Sequence, residues 1–325
     1  MTHPSSARPL RVAVIGGGIS GMISALRSAQ GGKQVVVLEK TADERYVCNS
    51  RLTAGPGVNW SNAVLQGTLE TFHATGLDNV TVSTSGSVIV HLAASFSDVE
   101  NNGLLDLRGG AGGQVFGALA SGGGSRILIG TGATLGGDTI SLNGALLKNN
   151  GTVTAPLVIN YLGTAKGAGS FGSVTVNDGG TFSPGNSPGV AHTGSVTFNE
   201  GGHYEVEVAD ALGAPGTGFD LWDIAGNLDF NAGVTANRQF VVSLISLNAG
   251  NAPGPASNFD KRHGFAWTVL RADSVSGFDE NELRLDTSGF ANDHDGRFAL
   301  ALTSVDGRSE LQIVYQPVPE PATRA

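Results

Sequence analysis

Residues 173–182 read SVTVNDGGTF, and the same pattern returns at residues 195–204 as SVTFNEGGHY. In each copy two apolar residues alternate with polar ones, a polar Gly-Gly corner follows, and an aromatic residue closes the unit. Alternation of this kind puts successive side chains on opposite faces of a strand. A period of roughly 20 residues is the signature of a solenoid, in which one coil cannot bury its apolar residues without the next coil stacked on it. The repeat therefore predicts that Val174, Val176 and Phe182 stack inward beneath Val196, Phe198 and Tyr204, with Asn and Gly at the corners.

The surrounding composition agrees. Glycine supplies 49 of 325 residues and charged residues only 14%, against about 7% and about 25% in ordinary chains. Such a chain turns often and is not mainly helical, while its 40% hydrophobic content is enough to offset chain entropy. From about Val80 onward, short alternating runs are separated by Gly-rich turns. Asn102-Gly103, Asn143-Gly144 and Asn150-Gly151 suit tight turns because both residue types tolerate positive φ. Residues 195–316 keep the pattern in longer runs (HYEVEVAD, QFVVSLISL, RFALALTSV, ELQIVYQ), which predicts a C-terminal β domain, either a β-sandwich-like cap or a solenoid cap. Trp222 and Trp267 are expected as core anchors of that part.

Charge and cysteine usage narrow the function. Residues 1–55 carry seven Lys and Arg against three acids, and the remainder carries 12 against 25. An acidic body lacks the clustered cations that phosphate binding needs, which excludes nucleic acid as a partner. The single cysteine, Cys48, excludes internal disulfides and a cysteine-based zinc site. No apolar run reaches the roughly 18 residues that would span a bilayer as a helix. A signal peptide over Arg8 to Ala29 is opposed by its three consecutive glycines and Arg27.

The segments LIGTGATLGGDTISLNGALLKNNGTV and GSVTVNDGGTFSPGNSPG resemble the β-strand repeats of bacterial autotransporter passengers and related secreted proteins, most specifically in TFSPGNSPG at residues 181–189. The last residues, PVPEPATRA, resemble the start of the PEP-CTERM sorting signal. These likenesses imply an extracellular or cell-envelope location and an unknown surface or matrix partner.

The opening is of another kind. Leu10 to Ile15 reads as a buried strand, and Gly16, Gly18 and Gly21 follow in G-x-G-x-x-G spacing. A helix with Ile19, Met22, Ile23 and Leu26 on one face is then predicted, stopped by Gly31-Gly32 before a second strand over Val35 to Leu38. The glycines allow close backbone approach of a pyrophosphate to the helix N-terminus, and Glu39 is placed for a ribose hydroxyl. The run VAVIGGGISGMISALRSAQGGKQVVVLEK, with RYVCNSRLTAG after it, resembles the start of FAD-dependent oxidoreductases of the fumarate reductase and flavocytochrome type. That resemblance implies cofactor contacts at Gly16, Gly18, Ser20, Gly21, Glu39, Lys40, Ser50, Thr53 and Gly55, with the Ser50–Gly55 loop along the pyrophosphate and flavin. It stops at about Gly55, after which the further parallel strands and helices of a nucleotide domain are missing.

The expected architecture is thus mainly β: β-solenoid-like repeats with a C-terminal β-sandwich-like cap, preceded by an incomplete Rossmann-type βαβ unit. Its divisions are 1–55 (partial FAD-binding unit), 56–100 (junction and first strands), 101–194 (repeats), 195–316 (C-terminal β domain) and 317–325 (disordered tail). Other constellations read as surface features. Asn292-Asp293-His294-Asp295-Gly296, with Asp279 and Asp286 upstream, lacks the distal Glu of a calcium loop and is expected to be a polar turn. Glu205 and Glu207 alternate onto one face, toward water. Arg108, Arg126, Arg238 and Arg271 read as solvated charges, and His73, His91, His192, His203, His263 and His294 match no catalytic signature. No catalytic or metal-ligating residue is assigned. The first expectation is a non-catalytic secreted or cell-surface β-repeat protein with an adhesion, matrix or spacer role, whose body requires no cofactor and whose opening binds FAD weakly or only as a vestige. The alternative is a FAD-dependent oxidoreductase built on the opening fingerprint, cytoplasmic if that opening is authentic.

Overall fold

The structure, a computed structural model, describes residues 11–15, 34–38, 51–54, 58–231 and 238–319. Among them every regular element is a strand, and none is a helix able to cross a membrane. Eleven strands, from Arg51–Ala54 to Leu283–Gly289, form one parallel sheet in which neighbours come from successive coils. Thr68 lies opposite Arg51, Ser87 opposite Thr68, and His203 opposite Thr181, so each early coil advances the chain by one short repeat. A second ladder carries the return path of each coil. There Ala93–Asn101, Gly112–Ser121 and Thr134–Leu142 are single strands, the middle one bulged midway against both neighbours, and the next coil splits the same path into Thr152–Val153 and Leu157–Ile159. This is a β-solenoid, making about seven turns over residues 59–204. At ~4.8 Å between neighbouring strands, the whole eleven-stranded sheet from Arg51–Ala54 to Leu283–Gly289 spans about 48 Å.

The repeat at Ser173 and Ser195 is found as read. Val174 pairs with Val196, Val176 with Phe198 and Phe182 with Tyr204. All six side chains are buried in one continuous core. The rungs run without interruption past residues 100 and 194, since Leu104 pairs with Ser87 and Val174 with Val196.

Asparagine does make the corners, and it makes them cooperatively. Asn160 donates through Nδ2 to Asn143 Oδ1 at 2.9 Å, Asn177 to Asn160 at 2.7 Å, Asn199 to Asn177 at 2.7 Å and Asn231 to Asn199 at 2.7 Å. Each amide satisfies the next along the axis, which fixes the stacking register as well as the turn. Replacing Asn177 with alanine removes two of these bonds and is expected to cost about 1–2 kcal/mol in urea unfolding. An unchanged midpoint would mean that the ladder contributes nothing.

The Asn-Gly turns differ from their sequence reading. Of the three glycines only Gly144 takes a left-handed φ, 75°. Gly151 is needed for clearance instead: a Cβ there would lie 2.5 Å from the Gly130 carbonyl oxygen and press on that of Ala133. The corner backbone of one coil rests directly on the coil before it, which leaves no room for a side chain.

Beyond Tyr204 the coils lengthen while the parallel pairing continues. His203 pairs with Val241, Phe240 with Leu283, and Trp222 with Leu270. The predicted cap is therefore a continuation of the solenoid, closed by an antiparallel hairpin of Arg297–Val305 and Arg308–Gln316 whose second strand pairs with Phe265–Ser276. Phe259, Phe265, Trp267, Phe290, Phe298 and Tyr315 plug this end of the core, with ring centroids such as Phe298–Tyr315 4.8 Å apart. Trp222 and Trp267 are the anchors expected, at 0% and 1% exposure.

Candidate functional site

The opening fingerprint contributes two strands, Arg11–Ile15 and Gln34–Leu38, paired in parallel with Ala13 opposite Val36. That is the strand arrangement of a βαβ unit. The predicted helix, and Gly16, Gly18, Ser20, Gly21, Glu39, Lys40, Ser50 and Gly55, lie outside the described residues. Thr53 is described, and its position differs from the loop expected there. Arg51–Ala54 is a strand, paired residue for residue with Thr68–Thr71, with Leu52 opposite Leu69 and Thr53 opposite Glu70. Pairing there covers backbone groups that would otherwise end the sheet as a bare edge. Over Arg51–Ala54 the backbone expected as a loop along the flavin is thus a rung of the solenoid.

The described surface also carries a polar cleft of about 400 Å³, lined by Asp178, Gly201, His203, Arg238, Gln239, Val241 and Arg284. Its floor is a row across neighbouring rungs, with His203 opposite Val241 and Val241 opposite Arg284. Arg238 bridges two carboxylates, Asp178 Oδ2 at 2.8 Å and Glu200 Oε1 at 2.6 Å. Arg284 reaches toward Asp286 at 3.9 Å, and the Ser288 backbone N–H holds the Asp286 carboxyl below its usual range. Both arginines of the cleft thus face carboxylates. Burial first, and then the Arg284 guanidinium, push the His203 imidazole below its usual value against the opposing pull of Asp178 and Asp286. Replacing Arg284 with glutamine should raise the His203 midpoint in an NMR titration; a lowered midpoint would contradict this geometry. Sequence reading missed the cleft because Arg238 and Asp178 lie far apart along the chain and meet only through stacking.

A second cluster lies beneath the TFSPGNSPG corner. Asp220 is fully buried and accepts backbone N–H bonds from Gly189 at 2.7 Å and Glu207 at 2.9 Å. Glu205 and Glu207 share a face as expected, but they do more than meet water. Glu205 Oε1 accepts from Ser183 Oγ at 3.1 Å, and burial raises the Glu207 carboxyl, with a Ser187 hydrogen bond opposing. Burial likewise pushes Asp220 well above the usual carboxylate range, although its two N–H donors favour the charged form. A carboxylate without access to solvent that is held by backbone amides is a structural clamp; it joins the corner to the strands on either side.

The remaining sequence candidates resolve into pairs. In the Asn292–Gly296 turn, Asn292 exchanges two hydrogen bonds with the Ala256 backbone, while Lys261 Nζ meets Asp293 at 2.9 Å and Asp295 at 3.4 Å. Two of the turn's carboxylates thus face one ammonium. Arg108 pairs with Asp106 at 2.6 Å and Arg271 with Glu310 at 2.8 Å, whereas Arg126 is exposed. His91 Nε2 lies 2.7 Å from Glu70 and stacks on Phe72 at 4.2 Å. Among the described residues no three His, Cys, Asp or Glu side chains come together as a metal site.

Comparison with known families gives one finding, an FAD binding domain whose family model matches residues 11–55. No curated protein matches the chain.

Proposed function

We propose that this chain is a non-catalytic β-solenoid rod of the cell surface or the secreted medium, serving as a spacer or adhesion body, with an N-terminal segment of flavoprotein ancestry that does not work as a flavin site. The observation that carries this reading is the pairing of Arg51–Ala54 with Thr68–Thr71. The solenoid takes its first rung out of the matched FAD segment, so the two cannot both use that stretch. The paired charges around Arg238 and the fully buried, amide-bound Asp220 support it further, because both read as contacts that hold the coils together. Cell fractionation of the source organism tests the location, with the chain expected at the surface or in the medium. Recovery in the cytosol with one bound flavin per chain would overturn both halves of the proposal.

The second reading, a FAD-dependent oxidoreductase, rests on the family match at residues 11–55 and on the parallel pairing of Arg11–Ile15 with Gln34–Leu38. It requires the purified chain to be yellow and to reduce with a hydride donor.

A further inference from the structure

The last hairpin of the solenoid begins with Arg297–Val305, which pairs with Arg308–Gln316 along one side, and among the described residues no strand pairs with its other side. Edge strands of soluble proteins are ordinarily blunted by lysine, proline, a bulge or an inward charge. This one has none of these. Its sequence is RFALALTSV, in unbroken register with its partner, and more than half of it is exposed. The neighbouring end strand, Leu283–Gly289, is by contrast broken by a register shift and carries Arg284 and Asp286.

We propose that the free edge of Arg297–Val305 pairs antiparallel with the same strand of a second copy, joining two solenoids end to end about a two-fold axis at Ala301. The register follows from the core. Phe298, Leu300 and Leu302 lie opposite Tyr315, Ile313 and Leu311, all three of which are buried, so the even-numbered residues occupy the core face. Opposed residues of an antiparallel pair share a face. A pairing that continues the core must therefore match even with even, and the self-symmetric choice sets Ala301 against Ala301, Leu300 against Leu302 and Phe298 against Ser304. Leu302, 38% exposed at the open end of the core, is thereby covered. The same register brings Arg297 of each copy beside Asp306 of the other. Neither of these residues makes an ion pair among the described residues, and both are exposed. Hydrophobic and charged positions thus become complementary through one symmetric operation, as an isologous contact requires. This inference extends the rod reading but does not depend on it, since the edge would pair whatever the rod carries.

Analytical ultracentrifugation of the full chain tests it. The wild type should show a concentration-dependent dimer. Ala301→Lys places two like charges against each other on the outer face, away from the core, and should raise the dimer dissociation constant by about a hundredfold with unchanged circular dichroism. If that variant fails to fold, cross-linking decides: in a Cys48→Ser background, Ala301→Cys should oxidise to a covalent dimer, because opposed positions bring Cα atoms within disulfide range. Ala299→Cys should cross-link with Thr303→Cys and not with itself. A wild type that stays monomeric overturns the proposal, including the case in which slow amide exchange along 297–305 shows the edge covered by the chain's own terminal segment. A dimer that survives Ala301→Lys, or that does not cross-link at Ala301, overturns it as well.

Discussion

Replacing Trp222 with alanine is expected to lower the stability of the solenoid by about 3–5 kcal/mol, the largest single-residue effect in the chain. The indole is fully buried, stacks on Phe182 at 3.9 Å, tilts against Tyr204 at 5.2 Å, and donates through Nε1 to Thr193 Oγ1 at 3.0 Å. It sits where the short coils give way to the long ones, so its removal opens a cavity between neighbouring coils that cannot close without shifting the register of both. Because each coil contacts only its neighbours, the loss concentrates at that junction. The urea midpoint should fall, and amide protection should drop first in 181–230. Trp222→Phe, which keeps most of the ring stacking and loses the hydrogen bond, should cost less than half as much. A loss below about 1 kcal/mol for the alanine variant would mean that the core does not pass through this residue.

Asp220 should produce the second largest effect, and one with a pH signature. Asp220→Ala leaves the Gly189 and Glu207 N–H groups without their acceptor and should cost about 2–4 kcal/mol, since each orphaned buried donor carries its own desolvation penalty. The sign of the pH dependence follows from the raised pKa of Asp220 and Glu207, whose chief cause in both is burial. A carboxyl raised in the folded state contributes its stability in full below its unfolded pKa and loses it as pH rises through the folded value. These two residues therefore make the protein more stable as pH falls from neutral toward about 4. Asp260, Asp286 and Asp293 act oppositely and later. Arg262, the Ser288 amide and Lys261 respectively hold them low, so their contribution is lost only as the solution becomes more acidic, falling toward their depressed values. Asp220→Asn should flatten the slope between neutral pH and about 4 while leaving the acid limb unchanged. An equal slope in wild type and variant would contradict the assignment.

How much of this is legible in the sequence depends on how far apart the interacting residues lie. The repeat at Ser173 and Ser195 is readable because a strand's alternation and the next coil's copy of it are both local patterns. It gives the solenoid, the inward column and the asparagine corners. The path of the chain after Tyr204 is harder to read. Coils there lengthen, as the long excursion from His203 to its partner Val241 shows, and a period that stretches no longer registers as a period even though the pairing persists. Gly151 reads as a turn glycine, and only the coil beneath it reveals that the constraint is clearance. Arg238 reads as a lone surface charge, and only stacking brings it to Asp178 and Glu200. The first rung at Arg51 is hidden for a related reason: RLTA is too short to show alternation, and a stronger motif surrounds it.

That first rung decides between the two accounts of the chain, and hydrogen exchange of the full-length protein with and without FAD tests it most directly. If Arg51–Ala54 is a strand of the solenoid, its amides exchange as slowly as those of Thr68–Thr71 and do so equally in both conditions. Fast exchange in the free protein, with protection appearing only when FAD is added, would show that the segment belongs to a nucleotide site and would contradict the solenoid account.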